Sequence, residues 1–73
     1  LGLAVDVNAA SAADLEALPG IGPVMARRIV QYRLNHGPFK SLGDLHEVSG
    51  LGEKKLARLK PYLMVPPPVG AGE

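Results

Sequence analysis

Leu18-Pro19-Gly20-Ile21-Gly22-Pro23 and, at an offset of 30 in the numbering, Val48-Ser49-Gly50-Leu51-Gly52-Glu53 are two versions of one short phrase. Each leads from an apolar residue into Gly-x-Gly, with an aliphatic side chain between the glycines. A lone Gly-x-Gly marks a turn and little more. Two in register at a fixed offset mark one supersecondary unit used twice. Extending the same offset in both directions pairs Ser11 with Ser41, Asp14 with Asp44, Leu15 with Leu45, Arg28 with Arg58 and Tyr32 with Tyr62, and sets Ile29 against Leu59 as like for like.

Each copy reads the same way locally. Ser11 with Asp14 three positions on forms a capping box, so a short helix is expected from about Ala12 to Leu18. It stops at Pro19-Gly20, because a proline disfavours helical backbone in the residue before it. A glycine in the turn that follows can take positive φ without steric cost. Pro23 suits the first position of the next helix, where its missing N–H is no loss. That helix runs to about His36, with Ala26, Ile29, Val30 and Leu34 expected on its inner face, Met25 and Tyr32 flanking it, and Gly37-Pro38 ending it. Phe39 is read as a core anchor. Ser41 and Asp44 repeat the capping box for a third helix, Leu42 to about Glu47. The fourth spans roughly Glu53 to Lys60, with Leu56 and Leu59 inward, until Pro61 ends it. Met64 to Glu73, with three consecutive prolines, is expected to be an extended or disordered tail. The reading is an all-α single domain over residues 7–63, two helical hairpins in pseudo-twofold arrangement, with a tail at 64–73.

Composition narrows what such a domain can do. The chain has 73 residues, 47% of them apolar, no cysteine and a formal charge of +1. A domain this small buries only about 60% of the surface its unfolded chain exposes, which leaves little room for an enzyme cleft beside a stable core. Binding, not catalysis, is the expectation. Without cysteine there is neither a disulfide nor a thiolate zinc site, and His36 and His46 have no partners at triad or metal spacing. Both are read as exposed helix residues, and no cofactor or metal is expected. The apolar run Leu3–Val5 falls far short of the roughly 20 residues of a membrane span.

The charge of +1 is a remainder. Asp6, Asp14 and Glu16 make residues 1–23 acidic, with no Lys or Arg among them. Residues 24–60 hold all eight basic groups, Arg27, Arg28, Arg33, Lys40, Lys54, Lys55, Arg58 and Lys60, against Asp44, Glu47 and Glu53. A basic stretch of this kind suits a polyanion. So do the turns: a glycine turn feeding a helix offers amides without intrahelical partners and the positive end of the helix dipole. Ile21 would point inward and pin its turn to the core, while the glycines let a phosphodiester approach the backbone. Two such sites related by a pseudo-twofold axis match the two strands of a duplex.

These residues are recognisable. Leu18-Pro19-Gly20-Ile21-Gly22 with Ala26 and Ile29 resembles the helix-hairpin-helix motif, and Val48-Ser49-Gly50-Leu51-Gly52 with Leu56 and Leu59 resembles a second copy. With Val7-Asn8-Ala9-Ala10-Ser11, Tyr32-Arg33, Asn35-His36-Gly37-Pro38-Phe39-Lys40-Ser41 and Glu53-Lys54-Lys55-Leu56, residues 7 to 65 resemble the C-terminal domain of the ComEA competence-protein family. The resemblance implies sequence-independent binding of double-stranded DNA as a receptor in DNA uptake during natural transformation. It also implies a periplasmic or cell-surface location, any membrane tether lying outside these residues, and DNA-uptake channel components as further partners. Carried over by position, the backbone donors are Gly20, Gly22, Val24 and Met25 in the first hairpin, and Gly50, Gly52, Lys54 and Lys55 in the second. Ile21 and Leu51 belong to the same turns. The Lys54 and Lys55 side chains would reach phosphates with Arg58 on the same helix, and Arg27 is the basic counterpart on the first side. In some relatives hairpin carbonyls hold a monovalent cation, here those of Leu18 and Ile21 or Val48 and Leu51.

Three positions depart from the pattern. Val24-Met25 is apolar where a basic or hydroxyl residue often follows the first hairpin, Ser49 replaces the usual Pro, and Glu53 opposes a phosphate at the fourth helix. Helix-hairpin-helix glycosylases add a catalytic Lys and Asp on a longer chain, and nothing here resembles that extension. The alternative is a protein-docking scaffold of the type of the small extrinsic subunit of photosystem II, with no DNA bound. Against it stand Lys54, Lys55, Arg58 and Lys60, which repel one another unless a polyanion or a partner's carboxylates neutralise them.

Overall fold

In the computed structural model, which describes residues 4–66, the order of elements is β1 (Val5–Asp6), α1 (Ala12–Glu16), α2 (Pro23–His36), a 3₁₀ helix (Leu42–Glu47), α3 (Glu53–Leu59), a 3₁₀ turn (Lys60–Tyr62) and β2 (Leu63–Met64). α1 begins as its sequence dictates. Ser11 Oγ accepts from the Asp14 N–H at 3.1 Å, and Asp14 Oδ2 accepts from the Ser11 N–H at 3.3 Å. Its last helical residue is Glu16, short of the expected end at Leu18. α2 starts on Pro23 and ends where Gly37, at φ 87°, turns its N–H back to the Arg33 carbonyl.

The second copy differs in its first helix. Leu42–Glu47 covers the expected span but winds as a 3₁₀ helix, and Ser41 does not cap it through its side chain. Asp44 Oδ2 instead accepts the Lys40 N–H at 2.9 Å, one position earlier than a capping box requires. A carboxylate and a nearby amide still satisfy each other, but with the tighter winding of a 3₁₀ turn.

Leu15, Ile29, Leu45, Leu56, Leu59 and Val7 are the largest fully buried side chains, with Ile21, Met25, Ala26, Phe39, Val48, Leu51 and Leu63 among those that complete the core. α2 contributes Met25, Ala26 and Ile29 to it. Val30 only borders the core, and Leu34, expected on the inner face, is 71% exposed. The buried face of α2 runs through Met25, Ile29 and Tyr32, and Leu34, five residues after Ile29, lies well round the helix from it.

Beyond the helices, β1 and β2 pair in parallel, Val5 with Leu63 and Asp6 with Met64, and the Val7 N–H donates to the Met64 carbonyl at 3.1 Å. Met64 is thus paired, not the start of a free tail, and Val65 packs against the core. Backbone pairing of this kind needs no side-chain alternation, so the pattern of residues did not announce it. The rest of the expected tail, 67–73, lies outside the described residues.

The N-terminal turn is bolted to the loop between the copies by Asn8. Its Oδ1 accepts the Phe39 N–H at 2.7 Å and its Nδ2 donates to the Phe39 carbonyl at 2.9 Å. Arg33 adds a bond from Nη1 to the Val7 carbonyl at 2.8 Å. Phe39 is 3% exposed, and its ring stacks on Tyr32 with centroids 5.2 Å apart. Asn8→Ala strands one donor and one acceptor in a half-buried place, and should destabilise the domain by about 2 kcal/mol. Urea unfolding followed by circular dichroism measures the loss.

Candidate nucleic-acid interface

The two turns share one backbone design. Gly20 and Gly50 take φ 80° and 86°, in the left-handed region that a side chain rarely adopts. Ile21 N–H donates to the Leu18 carbonyl at 3.2 Å and Leu51 N–H to the Val48 carbonyl at 3.1 Å. Gly22 and Gly52 are extended, at φ −95° and −82°, and serve as N-caps of α2 and α3. Ala26 N–H then donates to the Gly22 carbonyl at 3.0 Å and Leu56 N–H to the Gly52 carbonyl at 2.9 Å. The repeat seen in the sequence is a repeat of geometry.

From that geometry the donors follow. The helical ladder of α2 starts with Ala26, so the N–H groups of Val24 and Met25 precede it; on α3 those of Lys54 and Lys55 precede Leu56. Neither N-cap glycine offers a side chain to satisfy them. Gly20, Gly22, Gly50 and Gly52 are exposed. A Cβ placed on Gly22 or Gly52 would meet no atom within 4 Å, so the room there is open toward solvent. Ile21 and Leu51 do the opposite task. Their side chains are 5% and 2% exposed, and their N–H groups close the turns, so they pin the site and offer it no donor. Of the carbonyls that the resemblance assigns to a cation, those of Leu18, Ile21, Val48 and Leu51, the first and third each accept one N–H from their own turn.

Charge gathers beside these donors in a way the sequence did not announce. A cleft of about 300 Å³ is lined by Pro19 and Gly20 of the first turn together with Lys54, Lys55 and Arg58 of α3. The cations beside the first turn thus come from the second copy, and Arg27, the expected counterpart, is exposed on α2 outside this cleft. The second turn is approached in the same crossed sense. Arg28 of α2 donates from Nη1 to the Ser49 carbonyl at 3.2 Å, and a Cβ on Gly50 would lie 2.9 Å from that nitrogen and 3.1 Å from Met25 Cε. Met25 is buried by its side chain against the second turn while its amide belongs to the first. Exchanging the two copies maps Arg28 onto Arg58 and Ser49 onto Pro19, and these two line the one cleft. Only the offset pairing of Arg28 with Arg58 in the sequence hinted at this.

Val24, 54% exposed, is the apolar residue beside the first turn. His46 is exposed, as is His36, which stacks on Tyr32 with centroids 4.2 Å apart. Among the described residues no helix is long and apolar enough to cross a membrane.

Two helical hairpins, each with an exposed glycine turn opening a helix and related by pseudo-twofold symmetry, define a tandem hairpin module. The helix-hairpin-helix motif model matches residues 2–64, and the chain belongs to that family. It is 36% identical over 64 residues to ComE operon protein 1 of Bacillus subtilis (strain 168), covering 88% of this chain and 31% of that protein. It is 41% identical over 58 residues to the chloroplastic photosystem II extrinsic protein U of Griffithsia japonica, covering 80% and 35%. It is 43% identical over 56 residues to the human endonuclease/exonuclease/phosphatase family domain-containing protein 1, covering 77% of this chain but 10% of the human protein. The chain thus spans about a third or less of each of these relatives, and in the human protein the match is confined to a tenth of the length.

Proposed function

We propose that this domain binds double-stranded DNA without sequence preference, as a non-catalytic module of a DNA-uptake receptor. The observation that carries the reading is the pair of exposed turns, one in each copy, that leave helix-start amides uncapped, with Lys54, Lys55 and Arg58 gathered beside the first. Amides and cations contact phosphates, which position a protein on a duplex and carry no base identity. The pseudo-twofold relation of the turns matches the relation of the two strands across the minor groove. Glu53 at the start of α3 favours the helix dipole and opposes phosphate, which keeps affinity modest. The ComE relative supports competence as the setting, and with it a periplasmic or cell-surface location and channel components as partners.

The test is a fluorescence-anisotropy titration with two unrelated duplexes over a range of salt. With about four to six phosphates neutralised, log affinity should fall against log salt with a slope near −4 to −5, alike for both sequences. No binding at low salt, or a flat salt dependence, would reject the reading. The photosystem relative supplies the second reading, a docking scaffold, and a domain that ignores DNA at low salt would favour it.

A further inference from the structure

Each turn has basic side chains from the other copy's helix beside it. Arg58 sits on α3, which follows the second turn, yet with Lys54 and Lys55 it lines the cleft of about 300 Å³ whose other wall is Pro19-Gly20 of the first turn. Arg28 sits on α2, which follows the first turn, yet it donates to Ser49 and lies against Gly50 of the second. Exchange of the copies puts Arg58 and Pro19, which line the cleft, in the places of Arg28 and Ser49. The residues next to the first turn on its own helix, Val24 and Met25, bring no charge, and the Met25 side chain is buried against the other turn.

We propose that each phosphate seat is composite: the turn comes from one hairpin and the neutralising cation from the helix of the other. The first seat joins the Gly20-Ile21-Gly22 turn and the Val24 and Met25 amides to Arg58, with Lys54 and Lys55 at the same cleft. The second joins the Gly50-Leu51-Gly52 turn to Arg28, whose Nη1 bond to Ser49 holds the guanidinium beside the turn while its remaining N–H groups stay available. Lys54, Lys55 and Arg58 gather at the cleft of the first turn, and Arg28 is bonded beside the second. Crossing has a mechanical consequence as well. A cation anchored on one helix and working at the other's turn ties the separation of the two seats to the packing of the hairpins, which is what a two-strand grip requires.

This proposal rests on the DNA-binding reading and is tested by double-mutant cycles on duplex affinity, with each variant's fold checked by circular dichroism. Gly22→Val or Gly52→Val obstructs one turn, and Arg58→Gln or Arg28→Gln removes one cation. In the parent, Arg58→Gln should weaken binding roughly 5- to 10-fold near 0.1 M salt, the worth of about one phosphate contact. Combined with Gly22→Val, where the first seat is already blocked, the same change should cost less than about 2-fold, whereas combined with Gly52→Val it should keep its full effect. Arg28→Gln should show the mirror pattern, coupling to Gly52 and adding independently to Gly22. If either valine variant loses its helices, Gly22→Ala and Gly52→Ala carry the same cycles, since both positions have backbone angles and space for a Cβ. Coupling of Arg58 to Gly52, or equal coupling to both glycines, overturns the composite seats while leaving DNA binding standing. A parent domain that binds no duplex at low salt overturns both together.

Discussion

On the proposed function, duplex affinity should fall by about 100-fold or more near 0.1 M salt when Lys54 and Lys55 are both replaced by Glu, and equally for unrelated sequences. Each lysine that neutralises a phosphate releases close to one counterion, so at this salt one contact is worth slightly under a factor of ten in affinity. Losing two contacts therefore costs about 60-fold, and the salt slope becomes shallower by about two units. Reversal of sign adds repulsion between the new carboxylates and the same phosphates, which takes the loss past two orders of magnitude. Both lysines are exposed, so the fold itself should survive the change. Anisotropy titrations at several salt concentrations read the affinity and the slope together. A loss confined to one sequence would mean that these lysines read bases, and an unchanged slope would mean that they do not touch phosphate.

Leu59→Ala is the change expected to hurt the fold most. Leu59 is fully buried at the end of α3, one of the six largest side chains that the core covers completely. Removing its isobutyl group costs transfer free energy plus the cavity left behind, about 3 to 4 kcal/mol. A 73-residue domain has about 4 to 11 kcal/mol of stability in total, so this single truncation removes a large share of it. Leu34→Ala is the matched control. At 71% exposure Leu34 covers nothing in the core, and its truncation should change stability by less than about 0.5 kcal/mol. Urea unfolding of the two variants side by side measures both, and equal losses would contradict the burial seen here.

The contrast between these two leucines shows where sequence reading succeeds and where it stops. Leu56 and Leu59 follow a turn that pins their helix to the core, and helical spacing alone places them inward. Leu34 follows Val30 by one turn, but the face of α2 that is buried runs through Met25, Ala26 and Ile29 to Tyr32, and Val30 only borders it, which leaves Leu34 outside. Periodicity states which residues share a face; it does not state where round the helix the buried stripe ends. The capping boxes divide in the same way. Ser11 and Asp14 close on each other as their spacing demands, while Ser41 and Asp44, with the same spacing, head a 3₁₀ helix in which the carboxylate finds the Lys40 amide first. The short parallel pairing of β1 with β2 left no trace in the pattern, because it rests on backbone groups brought together by the rest of the fold.

The glycine turns were legible because their cause is local. Positive φ at Gly20 and Gly50 excludes most side chains, an aliphatic residue after each must find the core, and a helix must start where its first amides have no partner. Those three constraints are written within one short phrase, twice, and they determined the fold class, the symmetry and the exposed donors. Which cation stands beside which turn has no local cause. Arg28 and Arg58 hold equivalent places in the two copies, and their side chains reach the opposite turns only because the copies pack with each helix beside the other's hairpin. The sequence by itself determined two glycine turns with uncapped helix starts and a basic second half; the tertiary structure decided that the charge of one half stands beside the turn of the other, since contact across a pseudo-twofold axis exists only once both halves are assembled.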